Sequence, residues 1–292
     1  MTISAKVIED SISSYGICLT TMECRYPRMI HSEFNTHRVF SRNASSSRAI
    51  PVDRLIQDVI DDPAMPVFWG KNKPGMQAIE ELTGGEKEAA ISKWLKARDD
   101  AVANARLLAG SGVHKQLVNR IIESWCHIRV VVTSTEWANF YALRRHPDAQ
   151  PEMKALADAM WEAKQASKPK LLQPGEWHLP YVLEEEIQAH GGLTDPFGAL
   201  RKLSAARCAR TSYLTHDARK PNVDEDVKLC ERLLGSGHMS PFEHQGTPDS
   251  KPYYNSIWKY RRNKWKNQHK HGNLVGWIQY RHTLPNESIK DR

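Results

Sequence analysis

The sequence predicts an α+β protein, rich in helix, with a small mixed or antiparallel sheet and no regular βαβ alternation. Three observations lead there. Residues 3 to 26 alternate apolar and polar, as a half-buried strand pair does. "IRVVVTST", from residue 128, is a β-branched run. Between and beyond these, apolar residues recur at helical spacing.

In chain order, residues 3 to 26 read as two strands joined at Ser14–Gly16, with "GICLTTMEC" the stronger. Pro27 suits a first helical turn, where its missing N–H is no loss, and the helix would set Ile30, Phe34 and His37 on one face. Pro51 opens a short helix through Ile60, and "DDPAMPVFWGKNKPG" is a loop. Ile91, Trp94, Leu95, Val102 and Ala105 mark a helix over 85–108, interrupted by Arg98 and stopped by Gly110 and Gly112. A second helix carries Leu117, Val118, Ile121, Ile122 and Trp125. "IRVVVTST" is a buried strand, with a helix running through it as the open alternative. "TEWANFYALRR" and "PEMKALADAMWEAK" are helical, and "SKPKLLQPGEWHLP" has a linker's composition. "LRKLSAARCARTSY", the helical "VDEDVKLCERLLGSG" and a basic, aromatic C-terminus follow. The expected organisation is a single domain over 1–292: central helices in 1–165, a linker region over 166–200, and a last block over 201–292.

Composition sets bounds on partners. Of 292 residues, 40% are hydrophobic and 26% charged, an ordinary soluble balance. There is no apolar run of bilayer length and no signal-peptide core, so no membrane partner is expected. Five cysteines without a C-x-x-C pair suggest reduced thiols and a cytoplasmic location. A formal charge of +7 favours anionic ligands. "GSGVHK" lacks Walker A spacing, no G-x-G-x-x-G follows a strand, and no H-E-x-x-H or zinc spacing occurs. "GSGHMSPFEHQ" reads as a hydrogen-bonding cluster, so no metal is expected. "KPYYNSIWKYRRNKWKNQHKHG", 251–272, contains no acid; it suits either stacking along a single-stranded nucleic acid or a solvated basic face, and the second reading is preferred.

"THRVFSRNASSSRAIP", 36–51, gathers a histidine, three arginines and four serines with no acid. That is a donor set for an oxyanion. Its pattern His37, Arg38, Ser41, Asn43, Ser46, Arg48 resembles the signature of the flavin-dependent thymidylate synthases (ThyX type), Arg-His-Arg-x-x-Ser-x-Asn-Glu-x-Ser-x-Arg-Tyr. Thr36, Ala44 and Ala49 depart from it. "WANFYALRRHPDAQPEM" is similar to a second family segment through Asn139, Phe140, Leu143, Arg144, Ala149, Gln150 and Glu152, with Asp148 where histidine is usual. "GVHKQLVNRIIES" resembles the family helix that carries a nucleotide-binding arginine, here Arg120. "SAARCARTSY…CERLLGSGHMSPFEH", 204–244, resembles the family's N-terminal block yet follows the signature, so a circularly permuted ThyX-like fold is expected.

The resemblance implies a fold and a chemistry. Arg144 would be the catalytic residue, its permanent cation stabilising charge on a uracil ring. Ser46, Arg48 and Arg120 would bind substrate phosphate. His37, Arg38, Val39, Asn139, Ser212 and His238 would bind FAD. Gln279 and Arg281, in the second Gln-aromatic-Arg-His string "QYRH", would return to the site and replace groups missing at Glu33 and Thr36, the alternative being a surface strand. The implied partner is a pyrimidine deoxynucleotide, with methylenetetrahydrofolate and NADPH as co-substrates and a homotetramer as the assembly. The implied reaction is dUMP methylation. Alternatives are hydroxylation or hydroxymethylation of dCMP or dUMP on the same scaffold, and a single-stranded nucleic-acid-binding protein. Taken singly, His37 is a packed core histidine and Arg48 and Arg120 are surface arginines; only the joint arrangement points to a site.

Overall fold

The computed structural model describes residues 3–213, 222–251 and 265–288. The alternating N-terminus forms the expected hairpin: β1 (Ser4–Ser13) pairs antiparallel with β2 (Cys18–Pro27). The turn closes through Gly16 at φ +76°, a left-handed conformation that glycine adopts without strain. β3 (Ser41–Ala44) and β4 (His127–Ser134) extend the sheet antiparallel, and β5 (Lys170–Leu172) adds parallel to β1. The order is β3-β4-β2-β1-β5. The fold is α+β.

Side chains alternate across this sheet. Met22, Cys24 and Tyr26 of β2 and Ile128, Val130 and Val132 of β4 face one core, with Phe34, Phe40, Phe140, Met153 and Met160. The latter come from α1 (His31–Phe34), α5 (Ala138–Arg144), α6 (Pro151–Ala166) and the signature stretch. β4 is covered on both sides, which is why its sequence reads as an unbroken apolar run. α2 (Val52–Asp61), α3 (Gly84–Gly110) and α4 (Lys115–Val118) form a satellite core around Leu55, Val59, Val102, Val118 and Ile122.

Two expected helices are shorter than their periodicity suggests. The segment after Pro27 is a 3-10 turn, Arg28–Ile30, followed by the single turn of α1. The signature then straightens into β3, because β4 offers it a free edge. The helix expected through Trp125 ends at Val118 and resumes as a 3-10 turn, Glu123–Trp125. Asn119 interrupts it by donating sideways to Ser47 O and Ile50 O, at 2.7 and 3.0 Å. The stretch 166–200, linker-like in composition, is packed. It supplies β5 and α7 (Glu184–Ala189), and buries His178, Leu179 and Tyr181. Its elements are too short to leave a periodic signal. α8 (Ala199–Arg210), α9 (Val223–Gly235) and the two-stranded β6 (Gly246–Pro248) and β7 (Trp277–Gln279) complete the chain. Most of the basic stretch 251–272 lies outside the described residues. Among the described residues no helix is long and apolar enough to cross a membrane, and no three His, Cys, Asp or Glu side chains cluster as metal ligands.

The second face of the sheet carries buried hydroxyls, each of which needs a partner. A run of side chains crosses it from β1 to β3. Ser11 Oγ lies 2.8 Å from His178 Nδ1, and His178 Nε2 lies 2.8 Å from Thr21 Oγ1. Thr21 Oγ1 meets Thr133 Oγ1 at 2.6 Å, and Thr133 meets His244 Nδ1 at 2.8 Å. His244 Nε2 lies 3.1 Å from the Asn43 amide. With the amide nitrogen turned to Arg42 O and Ser240 O, Asn43 donates to His244. Every bond then runs one way: Asn43 to His244, to Thr133, to Thr21, to His178, to Ser11. Both imidazoles are neutral Nδ1–H tautomers, and a further proton on either would set donor against donor.

Burial holds His178 and His244 at about pKa 3. Burial first, then neighbouring arginines, holds His37 and His127 near 4. In the unfolded chain these rings take up protons near pH 6.5. Stability is therefore full above that value and is lost as pH falls from about 6.5 toward 4. His178 and His244 each contribute about 1.4 kcal/mol per pH unit in that window. Tm is expected to fall steadily from pH 6.5 to 4.5, with a shallower slope in His244→Gln; a Tm constant over pH 7 to 5 would contradict the neutral-histidine arrangement.

Candidate functional site

The end of β3 turns sharply at Ser47–Ala49, and the turn is pinned from inside. Besides the two Asn119 bonds, Lys115 Nζ donates to Ala49 O at 3.1 Å, and Ser47 Oγ donates to Glu123 at 2.8 Å. Glu123 also takes Arg28 at 3.1 Å and Arg120 at 3.2 Å. Ser47 points in, so Ser46 and Arg48 point out and are exposed. Arg120 stands beside them through Glu123. Ser46 and Arg48 thus sit on one pinned turn, and Arg120 is tied to that turn through Glu123.

Arg144 occupies a second cluster. Its Nε–H donates to His37 Nε2 at 2.9 Å, and its Nη1 pairs with Glu33. His37 stacks edge-on against Phe140 and beside Phe40, and Arg42 Nη1 donates to its carbonyl at 3.0 Å. Burial and the flanking Arg144 and Arg42 keep this ring neutral, which is the state that accepts the Arg144 N–H. Two of the Arg144 donors are spoken for, and among the described residues Nη2 meets no acceptor.

Ser46 also faces a cleft of about 310 Å³, and Ser212 lines its opposite wall. Between them stand Arg25, Arg54, Arg129 and Arg210, with Asp58, Asp61 and Asp62 on the α2 side. Thr211 is held at φ 55°, a left-handed conformation costly for a β-branched residue, and this turn presents Ser212. Strain of this kind gathers at working sites. The arginines of this cleft were not singled out from the sequence. The available signal was positional: Arg25 and Arg129 are each an arginine within a strand whose members are mostly buried.

The remaining residues do not converge within one chain. Arg38, Val39 and Asn139 are exposed along the edge where α5 begins. His238 is exposed beyond α9, and its side chain meets none of the others. Gln279 is buried and does return to the signature: its Nε2 lies 3.4 Å from Ser41 Oγ, and it donates to Glu243 O and Asn273 Oδ1 at 3.0 and 2.9 Å. Arg281 does not reach Thr36. It pairs with Glu243 and donates to Glu287 O at 3.0 Å.

The family pattern described as thymidylate synthase complementing protein (Thy1) matches residues 13–170, more than half of the chain. The chain belongs to this family. Among solved structures, it is similar to a UMP/dUMP methylase, PolB, from Streptomyces cacaoi bound with 5-Br dUMP. That likeness has 14% identity and a TM-score of 0.47 over 56% of this chain and 90% of the other. It is also similar to thymidylate synthase X from Helicobacter pylori with FAD and dUMP, at 18% identity and a TM-score of 0.35 over 50% and 67%. No curated protein matches the chain.

Glu123 joins one hydroxyl and two guanidinium groups under the Ser46–Arg48 turn. Glu123→Ala leaves these donors without their acceptor and is expected to cost about 1–3 kcal/mol, measured by urea denaturation. A loss below about 0.5 kcal/mol, the size of an ordinary surface change, would show that the turn is held by Asn119 and Lys115 alone.

Proposed function

We propose that the protein is a flavin-dependent enzyme that modifies C5 of a pyrimidine deoxynucleotide, and that its reaction is methylation of dUMP to dTMP with methylenetetrahydrofolate and NADPH as co-substrates. The observation that carries this reading is that Ser46 and Arg48 lie on one pinned turn within the family match, with Arg120 tied to it through Glu123. Serine hydroxyls and arginine forks at such a turn suit a nucleotide phosphate.

The flavin would supply the redox chemistry. The residues present fit a phosphate-bearing cofactor: Arg38 is an exposed cation with no partner among the described residues, and Ser212 lies in the cleft wall. His37 keeps only Nδ1 for such a group, since Arg144 holds Nε2. Arg38, Val39 and Asn139 share one edge that His238 does not reach, which supports a homotetramer whose sites are completed by a second copy. The contact of the 204–244 block with the signature, through His244 and Asn43, supports a permuted chain order.

Arg144 is the group that meets developing charge on the pyrimidine. Glu33 and His37 fix two of its donors, so the guanidinium needs little reorganisation when the ring becomes anionic. Glu33 also favours a second reading. A carboxylate beside the pyrimidine site accepts hydrogen bonds only, which suits the exocyclic amine of cytosine better than the O4 of uracil. Hydroxylation or hydroxymethylation of dCMP is that reading.

Mass spectrometry of products from dUMP and dCMP, with and without methylenetetrahydrofolate, under reducing and aerobic conditions, separates the two. Arg144→Ala is expected to keep bound flavin and lose about 10²–10³-fold in kcat, while Arg48→Ala raises the Kd for nucleotide. A protein that stays colourless with FAD and converts neither nucleotide would end this reading, and full turnover in Arg144→Ala would remove that residue's role.

A further inference from the structure

The cleft beside Ser46 contains donors that the fold leaves unanswered. Arg25 and Arg129 stand directly opposite each other on β2 and β4. Like charges at opposed positions repel and call for a counter-charge. Arg25 has one, for Asp62 lies 2.8 Å away and His127 accepts at 3.1 Å. Arg129 has none: its exposed guanidinium makes no hydrogen bond or ion pair among the described residues. Its backbone is engaged on both sides, the carbonyl accepting from the Ser45 N–H at 2.9 Å and the N–H donating to Ser45 Oγ at 3.2 Å, which leaves the Ser45 O–H to donate outward.

The opposite wall repeats the pattern. Arg210 has a side chain only 7% exposed and pairs with Asp226, which itself is fully buried. Among the described residues its Nε–H finds no acceptor, and neither does the buried Trp125 Nε1–H. Buried donors without acceptors are rare and need a reason. The carboxylates of the cleft do not provide it. Asp62 is held by Arg25, Asp61 accepts from Gln57 at 2.7 Å, and Asp58 and Asp61 are exposed on the rim.

We propose that this cleft binds a phosphoryl oxyanion, held by Arg129 and Arg210 with the hydroxyls of Ser45 and Ser46. An oxyanion supplies the missing counter-charge for Arg129 and the acceptors for Arg210 Nε and Trp125 Nε1 together. The identity of its bearer rests on the functional reading above: it is either the 5′-phosphate of the nucleotide or the diphosphate of the dinucleotide cofactor.

Calorimetric titration of the full-length protein with inorganic phosphate, pyrophosphate, dUMP and FAD tests the site. Wild type is compared with Arg129→Gln, and with Arg210→Lys, which keeps the charge facing Asp226 while removing Nε–H. The wild type is expected to bind pyrophosphate, and Arg129→Gln to weaken that binding tenfold or more, with a smaller loss in Arg210→Lys. A matching loss for dUMP, with deoxyuridine unchanged, assigns the site to the nucleotide; a matching loss for FAD, with riboflavin unchanged, assigns it to the cofactor. Pyrophosphate binding that depends on Arg129, in a protein that takes neither dUMP nor FAD, would keep the anion site and remove the functional reading. Wild type that binds neither phosphate nor pyrophosphate, or Arg129→Gln that binds pyrophosphate as tightly as wild type, overturns the proposal.

Discussion

The hydrogen-bond chain from Asn43 through His244, Thr133, Thr21 and His178 to Ser11 ties together parts of the sequence that are far apart. Four strands of the sheet lie within it or beside it, and its two histidines come from the 166–200 stretch and from the block after α9. A polar sheet face closed over by other elements is tolerable only if every hydroxyl is answered. The histidines answer them because a neutral imidazole donates at one nitrogen and accepts at the other, and so passes the bond direction on unchanged. A Gln at either place could imitate the donor and acceptor but would sacrifice the ring packing, such as that of His178 on Trp277.

This constraint explains what the sequence made legible. The hairpin at 3–26, the helix over 85–108 and the strand "IRVVVTST" follow local periodicity, and all three stand in the structure. The polar chain does not follow any local rule. Besides Asn43, its residues are single Ser, Thr and His side chains at positions 11, 21, 133, 178 and 244, and nothing in their immediate neighbours shows which of them pair with one another. The 166–200 stretch was hidden for a related reason: its burial depends on His178 finding Ser11 and Thr21, a contact made across more than half the chain. Within the candidate site, Ser46, Arg48 and Arg120 were singled out through the family resemblance. Arg129 and Arg210 were not, because an unanswered donor is a property of the folded neighbourhood.

The Arg144 cluster shows the same dependence at closer range. Glu33, one turn before His37, holds Nη1, while His37 takes Nε. Phe34 and Phe40 pack between these residues and the sheet core, so the donors of Arg144 are set by the same apolar layer that buries Met22 and Val132. Arg281, expected at this site, is instead drawn to Glu243, a nearer carboxylate with its own 3-10 turn already fixed against β3. Proximity to an existing counter-charge decided where that cation went.

Register links the polar chain to the cleft. Residues 129, 131 and 133 of β4 share one face. Thr133 is held by His244, Val131 packs with Tyr181 and Cys208, and Arg129 emerges at the cleft. α8 follows the same direction, with Cys208 over Val131 and Arg210 at the cleft. A slip of β4 by one residue would carry Thr133 into the apolar core and Arg129 with it, an unpaired cation among Met22, Phe34 and Phe140. The bonds Thr133 makes to Thr21 and His244 forbid that slip. The buried polar chain therefore acts at a distance of two strand positions: by fixing which residues of β4 face α8, it delivers an arginine without a partner among the described residues to the mouth of a cleft already rich in donors.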